Sequence, residues 1–523
     1  MECRHPKVPA GTGLLCGSLV AHVFAGGFDN RWPAKKAYDN PAVTRAMDAV
    51  REGIERCTGD PTRPVYHFRP PARWMNDPCG AIYHKGHYHV FYQLNPTGDF
   101  WGTDNTHWGH TRSRDLVHWE HLPIAICPSP DRGERRCNSG CVTMNGSGRP
   151  MIFYTYVPIK RGVSRQQWAA LGDDDLITWT KHAGNPVVDR RKSGIPSTVG
   201  HGWSDPFVFR ADGKTFVTFK SSGGAVCVAR NEELTEWRYV GHLAGVHGEC
   251  PNFFKLAGKW VLLTSGSDRS QQLQYQIGAF DPHKLAFKAE NRGILDHSYG
   301  PKWPDSMCRG FYATNTLFDR AGRCVLFGWI SGFKNTEGRF YGMPGQAKGR
   351  GWNGCLGLPR VLTLGSDGRP RQTPVPELQK LRHGHVRVDA LPLNDRSCVL
   401  DKAAGDTLEI LAVFELRGAK ACGIRVRRSE NGDRAILLDY DGRILNVAGT
   451  KVPTDTSTGR KTLALHIFLD KSVMEVFVNG GRKVVTRVIY PDVADRRIEL
   501  FARGGNAIVR SIDVWQIKPV WPD

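Results

Sequence analysis

One short pattern constrains this chain more than any other. An acidic residue, a leucine, two variable residues and a tryptophan recur at nearly even spacing. DLVHW ends at Trp119, DLITW at Trp179 and ELTEW at Trp237, 60 and 58 residues apart. A weaker echo, HKLAF, ends at Phe287, 50 residues further on. Each copy follows a polar turn and precedes a strand-like run. Self-similarity at a fixed period marks a repeat architecture, whose units bury their apolar faces only against their neighbours. A period of 50–60 residues with about four strands per unit describes the blades of a β-propeller. Residues 63–370 give room for five blades.

The runs between the repeats support that reading. Tyr88–Tyr92, Met151–Tyr154, Phe207–Phe209, Trp260–Leu263 and Val325–Trp329 are short, apolar and bounded by Gly, Pro, Asn and Asp, the composition of strands. No long helical periodicity interrupts them. Residues 1–62 form an N-terminal extension with one amphipathic helix over Pro41–Cys57, where Val43, Met47, Val50 and Ile54 recur at helical spacing. Residues 371–384 form a linker, polar from 377 onward. Residues 385–523 read as a second all-β unit of sandwich size. Its clearest signal is a hairpin: Met474–Val478, a turn at Asn479-Gly480-Gly481, then Val484–Tyr490. The expected architecture is all-β, a five-bladed β-propeller followed by a C-terminal β-sandwich.

Composition excludes other classes. The formal charge is +20, yet the basic residues are scattered and the densest groups, Arg190 to Lys192 and Arg425 to Arg428, are short and flanked by acids. No nucleic-acid motif accompanies them, so the excess reads as a solvated basic surface and no nucleic-acid partner is expected. No run of 18 apolar residues exists, so no membrane partner is expected. The 14 cysteines lack a CxxC pair or zinc spacing, and their usage favours a reducing, cytoplasmic compartment. The mildly apolar stretch Gly13–Gly27 resembles the core of a secretion signal but contains a His and lacks a clean cleavage site. The chain carries no signal for oligomeric state.

Three acidic motifs stand out. WMNDPCG spans Trp74 to Gly80, SDPF spans Ser204 to Phe207, and GECPNFF spans Gly248 to Phe254. Each alone is the turn-forming pair of any surface loop. Together they fall near blade spacing: Asp77 and Asp205 are 128 residues apart and Glu249 follows 44 later. If each lies on the innermost strand of its blade, all three carboxylates face the propeller axis, an arrangement suited to glycoside cleavage. The 52 aromatic residues suit an all-β core first, and stacking on sugars second.

These motifs, in this order, resemble glycoside hydrolase family 32, the invertase, levanase and inulinase family. The likeness runs from HFRPPARWMNDPCGAIYHKGHYHVFYQLNP through HWGHTRSRDLVHWEHLPIA, NSGC, SDPFV, ECPNFF, FYATNT and VLFGW to FLDKSVMEVFVNGG and RVIYP. It implies a retaining β-fructofuranosidase acting on terminal β-D-fructofuranosyl residues of sucrose or fructans, without metal or other cofactor. By the same resemblance, Asp77 is the nucleophile, Glu249 the acid/base and Asp205 the stabiliser of the oxocarbenium-like transition state. Asn76, Gln93, Trp101, Asn138, Ser139, Ser204 and Trp329 fall at substrate-contact positions. Trp108 and His110 read as packing residues of the first blade.

Four positions depart from the family pattern. Cys79 stands where Asn follows the first Asp-Pro, and Ser204 where Arg precedes the second. Gly248 replaces an aromatic and Gly310 an acidic residue. Serine can neither reach as far as arginine nor carry its charge. The trio is therefore more firmly specified than the sugar it acts on. A fructosyltransferase of the same family and a sugar-binding propeller with little catalysis stay open as alternatives.

Overall fold

A computed structural model describes residues 31–101, 105–200, 202–266, 272–298, 310–339, 349–454 and 462–520. The apolar stretch Gly13–Gly27 lies outside the described residues. Five antiparallel sheets follow one another along the chain. Their innermost strands are Arg73–His84, Glu134–Met144, Ser204–Ala211, Glu249–Leu256 and Gly310–Phe318. Each of these contacts the next, and the fifth contacts the first, which closes the ring. A short parallel pairing adds to the closure, with Trp352 and Asn353 opposite Arg73 and Trp74. Blade 5 ends on strand Pro370–Pro374, paired with Arg360–Leu364.

The recurrent motif has a definite place. Trp119, Trp179 and Trp237 each open the outermost strand of blades 1 to 3. The preceding leucines, Leu116, Leu176 and Leu234, have left-handed backbones with φ of 63°, 61° and 58°, and Leu285 of the weaker echo has 52°. Such a conformation crowds Cβ and costs about 1–2 kcal/mol. It persists because Leu116, Leu176 and Leu234 are buried. Asp115, Asp173, Asn231 and Asp281 tie the turns by accepting backbone N–H bonds, the use for which short polar side chains are favoured there.

The helix is shorter than its periodicity suggests. It runs Pro41–Glu52, capped by the Asn40 side chain, and a separate 3-10 turn covers Glu55–Cys57. Gly53 is its C-cap, and glycine suits the position because a Cβ there would meet Arg73 Nε at 2.6 Å. Val43, Ala46, Met47 and Val50 are buried, and the helix lies against the outer strand of blade 1.

A 3-10 turn, Pro376–Leu381, leads to two six-stranded sheets that face each other as a β-sandwich. Its core is aliphatic, built on residues such as Leu408, Ile410, Ile424, Leu465, Val476 and Ile512. The expected hairpin pairs Val473–Val478 with Lys483–Val488. That second strand packs on blades 4 and 5.

The seam between the units is polar and fully buried. Arg360 donates to Asp296 Oδ2 at 2.8 Å, Glu475 Oε2 at 2.7 Å, Thr486 Oγ1 at 2.7 Å and Gln372 Oε1 at 3.0 Å. Its guanidinium lies 3.6 Å from the ring centre of Phe311. His67 is held between Asp470 at 2.8 Å and Glu475 at 3.0 Å. Asp470 also accepts the backbone N–H groups of Val65, Tyr66 and His67 at 2.8, 2.9 and 2.9 Å.

Candidate active site

All five inner strands share one irregularity near the axis. In each, two residues face one residue of the neighbouring strand: Asn76 and Asp77 against Gln93, Asp205 and Pro206 against Phe219, Cys250 and Pro251 against Thr264, and Ala313 and Thr314 against Gly328. In blade 2, Ser139 is the extra residue. A bulge of this kind bends its strand and re-aims a side chain. Asp205, Cys250 and Ala313 take left-handed φ values of 56°, 47° and 49° to make it. The prolines fit because a bulged residue need not donate to the ladder.

The result is a cluster of three carboxylates from three blades. Ser139 Oγ donates to Asp77 Oδ2 at 2.6 Å, and Asn76 Nδ2 donates to Asp77 Oδ1 at 3.2 Å. Asn76 is itself fixed by the Trp74 indole at 2.9 Å and by Gln93 Oε1 at 2.9 Å, and Gln93 donates in turn to Ser139. Asp205 is anchored from behind: its N–H donates to Thr155 Oγ1 at 3.0 Å, and its Oδ2 accepts the Cys250 N–H at 3.2 Å. Cys250 bridges the cluster, because its thiol also reaches Asp77 Oδ2 at 3.5 Å. Glu249 Oε2 accepts the Tyr312 hydroxyl at 3.1 Å, and Oε1 forms an ion pair with Lys220.

Burial dominates the electrostatics. It pushes the Asp77 carboxyl up from 3.8 to about 6; the charges of Asp205 and Glu249 add to this, and the donors Ser139 and Asn76 oppose it. Asp205 is likewise raised, first by burial and then by Glu249, against the Lys220 charge. Cys79 is buried and its thiol donates to the Asp77 carbonyl at 3.2 Å. Burial and the Asp77 charge hold that thiol far above its usual range, which leaves it inert.

Aromatic rings gather beside the carboxylates. Trp74 and Trp329 meet edge to face at 5.5 Å, and Trp101 packs against the same cluster. Arg136 lies 5.1 Å over the Trp101 ring. The remaining sequence-derived positions are less direct. Asn138 engages Trp108 of blade 1, whose indole donates to its backbone carbonyl at 3.2 Å. Ser204 is buried beside Asp205. His110 stacks on Phe91 at 4.0 Å within blade 1. Gly310 is required: its φ is 122°, and a Cβ there would stand 2.2 Å from Ser298 Cβ. Lys220, Tyr312 and Cys250 were given no role from the sequence. Tyr312 and Cys250 lie inside motifs already noticed, whereas Lys220 carries no sequence signal. Among the described residues, no cluster of His, Cys, Asp or Glu is arranged to hold a metal ion, and no helix is long and apolar enough to cross a membrane.

A five-bladed ring with three converging carboxylates and an appended sandwich is the frame of a glycoside hydrolase. The chain belongs to glycosyl hydrolases family 32: the family's N-terminal domain matches residues 67–374 and its C-terminal domain residues 377–516. It is 33% identical to a levanase of Bacillus subtilis, over 88% of this chain and 71% of that protein. It is 28% identical to a sucrose-6-phosphate hydrolase of Escherichia coli, over 90% and 98% of the two chains. Among solved structures, a Bombyx mori GH32 beta-fructofuranosidase superposes with a TM-score of 0.73 at 26% identity, covering 93% of this chain and 100% of that one. Fructan 1-exohydrolase IIa of Cichorium intybus shares the fold, with a TM-score of 0.76 at 23% identity over 88% and 98% of the two chains.

Proposed function

We propose that the chain is a retaining β-fructofuranosidase that releases terminal fructose from sucrose or a fructan. The observation that carries this reading is the convergence of Asp77, Asp205 and Glu249 from three bulged inner strands, each carboxylate held by its own donors. Asp77 attacks the anomeric carbon of the fructosyl unit and forms a covalent ester. Glu249 gives a proton to the departing oxygen, then takes one from the water that hydrolyses the ester. Asp205 faces the positive charge that develops on the ring. Asn76, Gln93 and Ser139 form one hydrogen-bonded row that fixes the Asp77 carboxylate, Trp101 offers a face to the sugar, and Trp329, buried against Trp74, supports the wall from behind.

Incubation with sucrose, inulin and levan, followed by sugar analysis, tests the reading. Free fructose from at least one of them is expected, with β-fructose as the first anomer seen by NMR. Asp77→Asn should abolish release, and Glu249→Gln should slow it by roughly 10²–10⁴-fold. Transfer products in place of free fructose would make the chain a transferase. Sugar binding without turnover, unchanged in Asp77→Asn, would make it a lectin-like propeller.

A further inference from the structure

Lys220 stands among the carboxylates without belonging to any of the motifs that built the site. It ends the second strand of blade 3, Lys214–Lys220, whose neighbour is the inner strand Ser204–Ala211. The register sets Lys220 directly opposite Ser204, just past the bulge. Opposed residues of an antiparallel pair project from the same face, with Cβ atoms about 4.5–5.5 Å apart. Lys220 therefore rises from the same patch of wall as position 204, the position where the family resemblance calls for arginine.

The surroundings show what this lysine can do. Its ammonium pairs with Glu249 Oε1, and its charge also acts on Asp205. Burial opposes the ammonium charge, but Glu249 and Asp205 outweigh it, so the group is firmly cationic. Cys250 links the cluster to Asp77, and Tyr312 holds the other oxygen of Glu249. An ammonium has three N–H donors on a flexible stem. One serves Glu249, which leaves two for another acceptor. The side chains of Lys220 and Glu249 are 35% and 44% exposed, so the pair faces open space and not packed protein.

We propose that Lys220 is a sugar-binding cation, carried one strand across from position 204, which bridges Glu249 to a hydroxyl of the fructosyl unit. The assignment rests on the fructosidase reading above. It accounts for the loss of arginine at position 204: the charge has moved to the opposed residue of the neighbouring strand. It also ties the orientation of the proton-transferring carboxylate to sugar binding.

The test relocates the charge. Lys220→Met keeps length and removes charge, and Lys220→Gln is a second neutral variant should the first fold poorly. Each is assayed for kcat and KM on whichever of sucrose, inulin and levan the unaltered chain cleaves, and titrated calorimetrically with sucrose and fructose. Lys220→Met should raise KM and lower kcat/KM by roughly 10- to 100-fold, as loss of a charged hydrogen bond does. Adding Ser204→Arg to Lys220→Met should recover at least a tenfold part of that loss. KM within twofold of the unaltered chain, or a double variant no better than Lys220→Met alone, would overturn the assignment. An unaltered chain that releases no fructose sinks the fructosidase reading by itself. Equal sugar affinity with and without the Lys220 charge overturns the assignment of Lys220 whether or not sugar is cut.

Discussion

Asp77 carries its charge against its surroundings. Burial places its carboxyl near 6, so the attacking anion is lost as pH falls through about 6. The acid limb of kcat/KM should therefore lie near that value, well above the range of an ordinary aspartate. The Ser139 hydroxyl favours the ionised form, so Ser139→Ala should move the limb to higher pH; a limb that stays in place would show that another group sets it. The three acidic residues were legible in the sequence because each lies within two residues of a proline near its strand's bulge: Asp77 and Asp205 directly before one, and Glu249 two positions ahead of Pro251. Lys220 and Tyr312 were not legible as partners of Glu249. Both meet it only through the ring: Lys220 from the preceding blade, 29 positions back, and Tyr312 from the following blade, 63 positions on.

At the scale of the element, the recurrent turn explains why the ring could be read from one chain. Its leucine must do two opposed things, fill a gap in the core and accept a left-handed backbone, and that joint demand preserves a visible pattern. Leu234 is the clearest case, with φ of 58° and 3% exposure. Leu234→Ala should destabilise by about 2–5 kcal/mol, the usual cost of emptying a buried leucine site. Leu234→Gly should be the milder change, by about 1 kcal/mol, because glycine escapes the left-handed strain. Thermal or urea unfolding ranks the two, and alanine proving the better substitute would show that the backbone there is relaxed. Blade 5 has no copy of the motif. Its third and fourth strands, Arg360–Leu364 and Pro370–Pro374, come long after Cys324–Ser331, so its turns differ in length and chemistry. The helix fell short at its end for a similar reason: the periodicity of Ile54 is local, while the close approach of Arg73 from the first blade, which favours glycine at position 53, is not visible in it.

At the scale of the molecule, the buried seam joins the propeller to the sandwich through charge. Burial opposes a protonated His67, but its bonds to Asp470 and Glu475 prevail and lift it to about 9. A raised histidine lends stability that is complete below its ordinary 6.5 and is lost as pH rises through about 9. Glu475 is the converse: burial opposes its charge, Arg360 and His67 lower it to about 2, and its contribution is complete above its ordinary 4.5 and is lost as pH falls from there through about 2. Calorimetry should show a melting temperature that drops between about pH 6.5 and 9, with the drop absent in His67→Gln. Arg360→Met strands Asp296 without its cation, leaves Glu475 only His67, and should cost about 3–5 kcal/mol. The same arginine, held from the sandwich by Glu475 and Thr486, backs Phe311 next to Tyr312, so the sandwich reaches the strand that steadies Glu249 through a residue of blade 5. Asp470, which holds the first residues of the ring, adds a consequence in time. That carboxylate is made about 400 residues after the backbone it grips. At about 5–20 residues per second of synthesis, the start of the ring waits roughly 20–80 s for its clasp. The entry to the propeller is thus clasped only after the sandwich hairpin is made, and a chain halted before residue 470 would keep a ring closed by its own strands but leave residues 65–67 unheld.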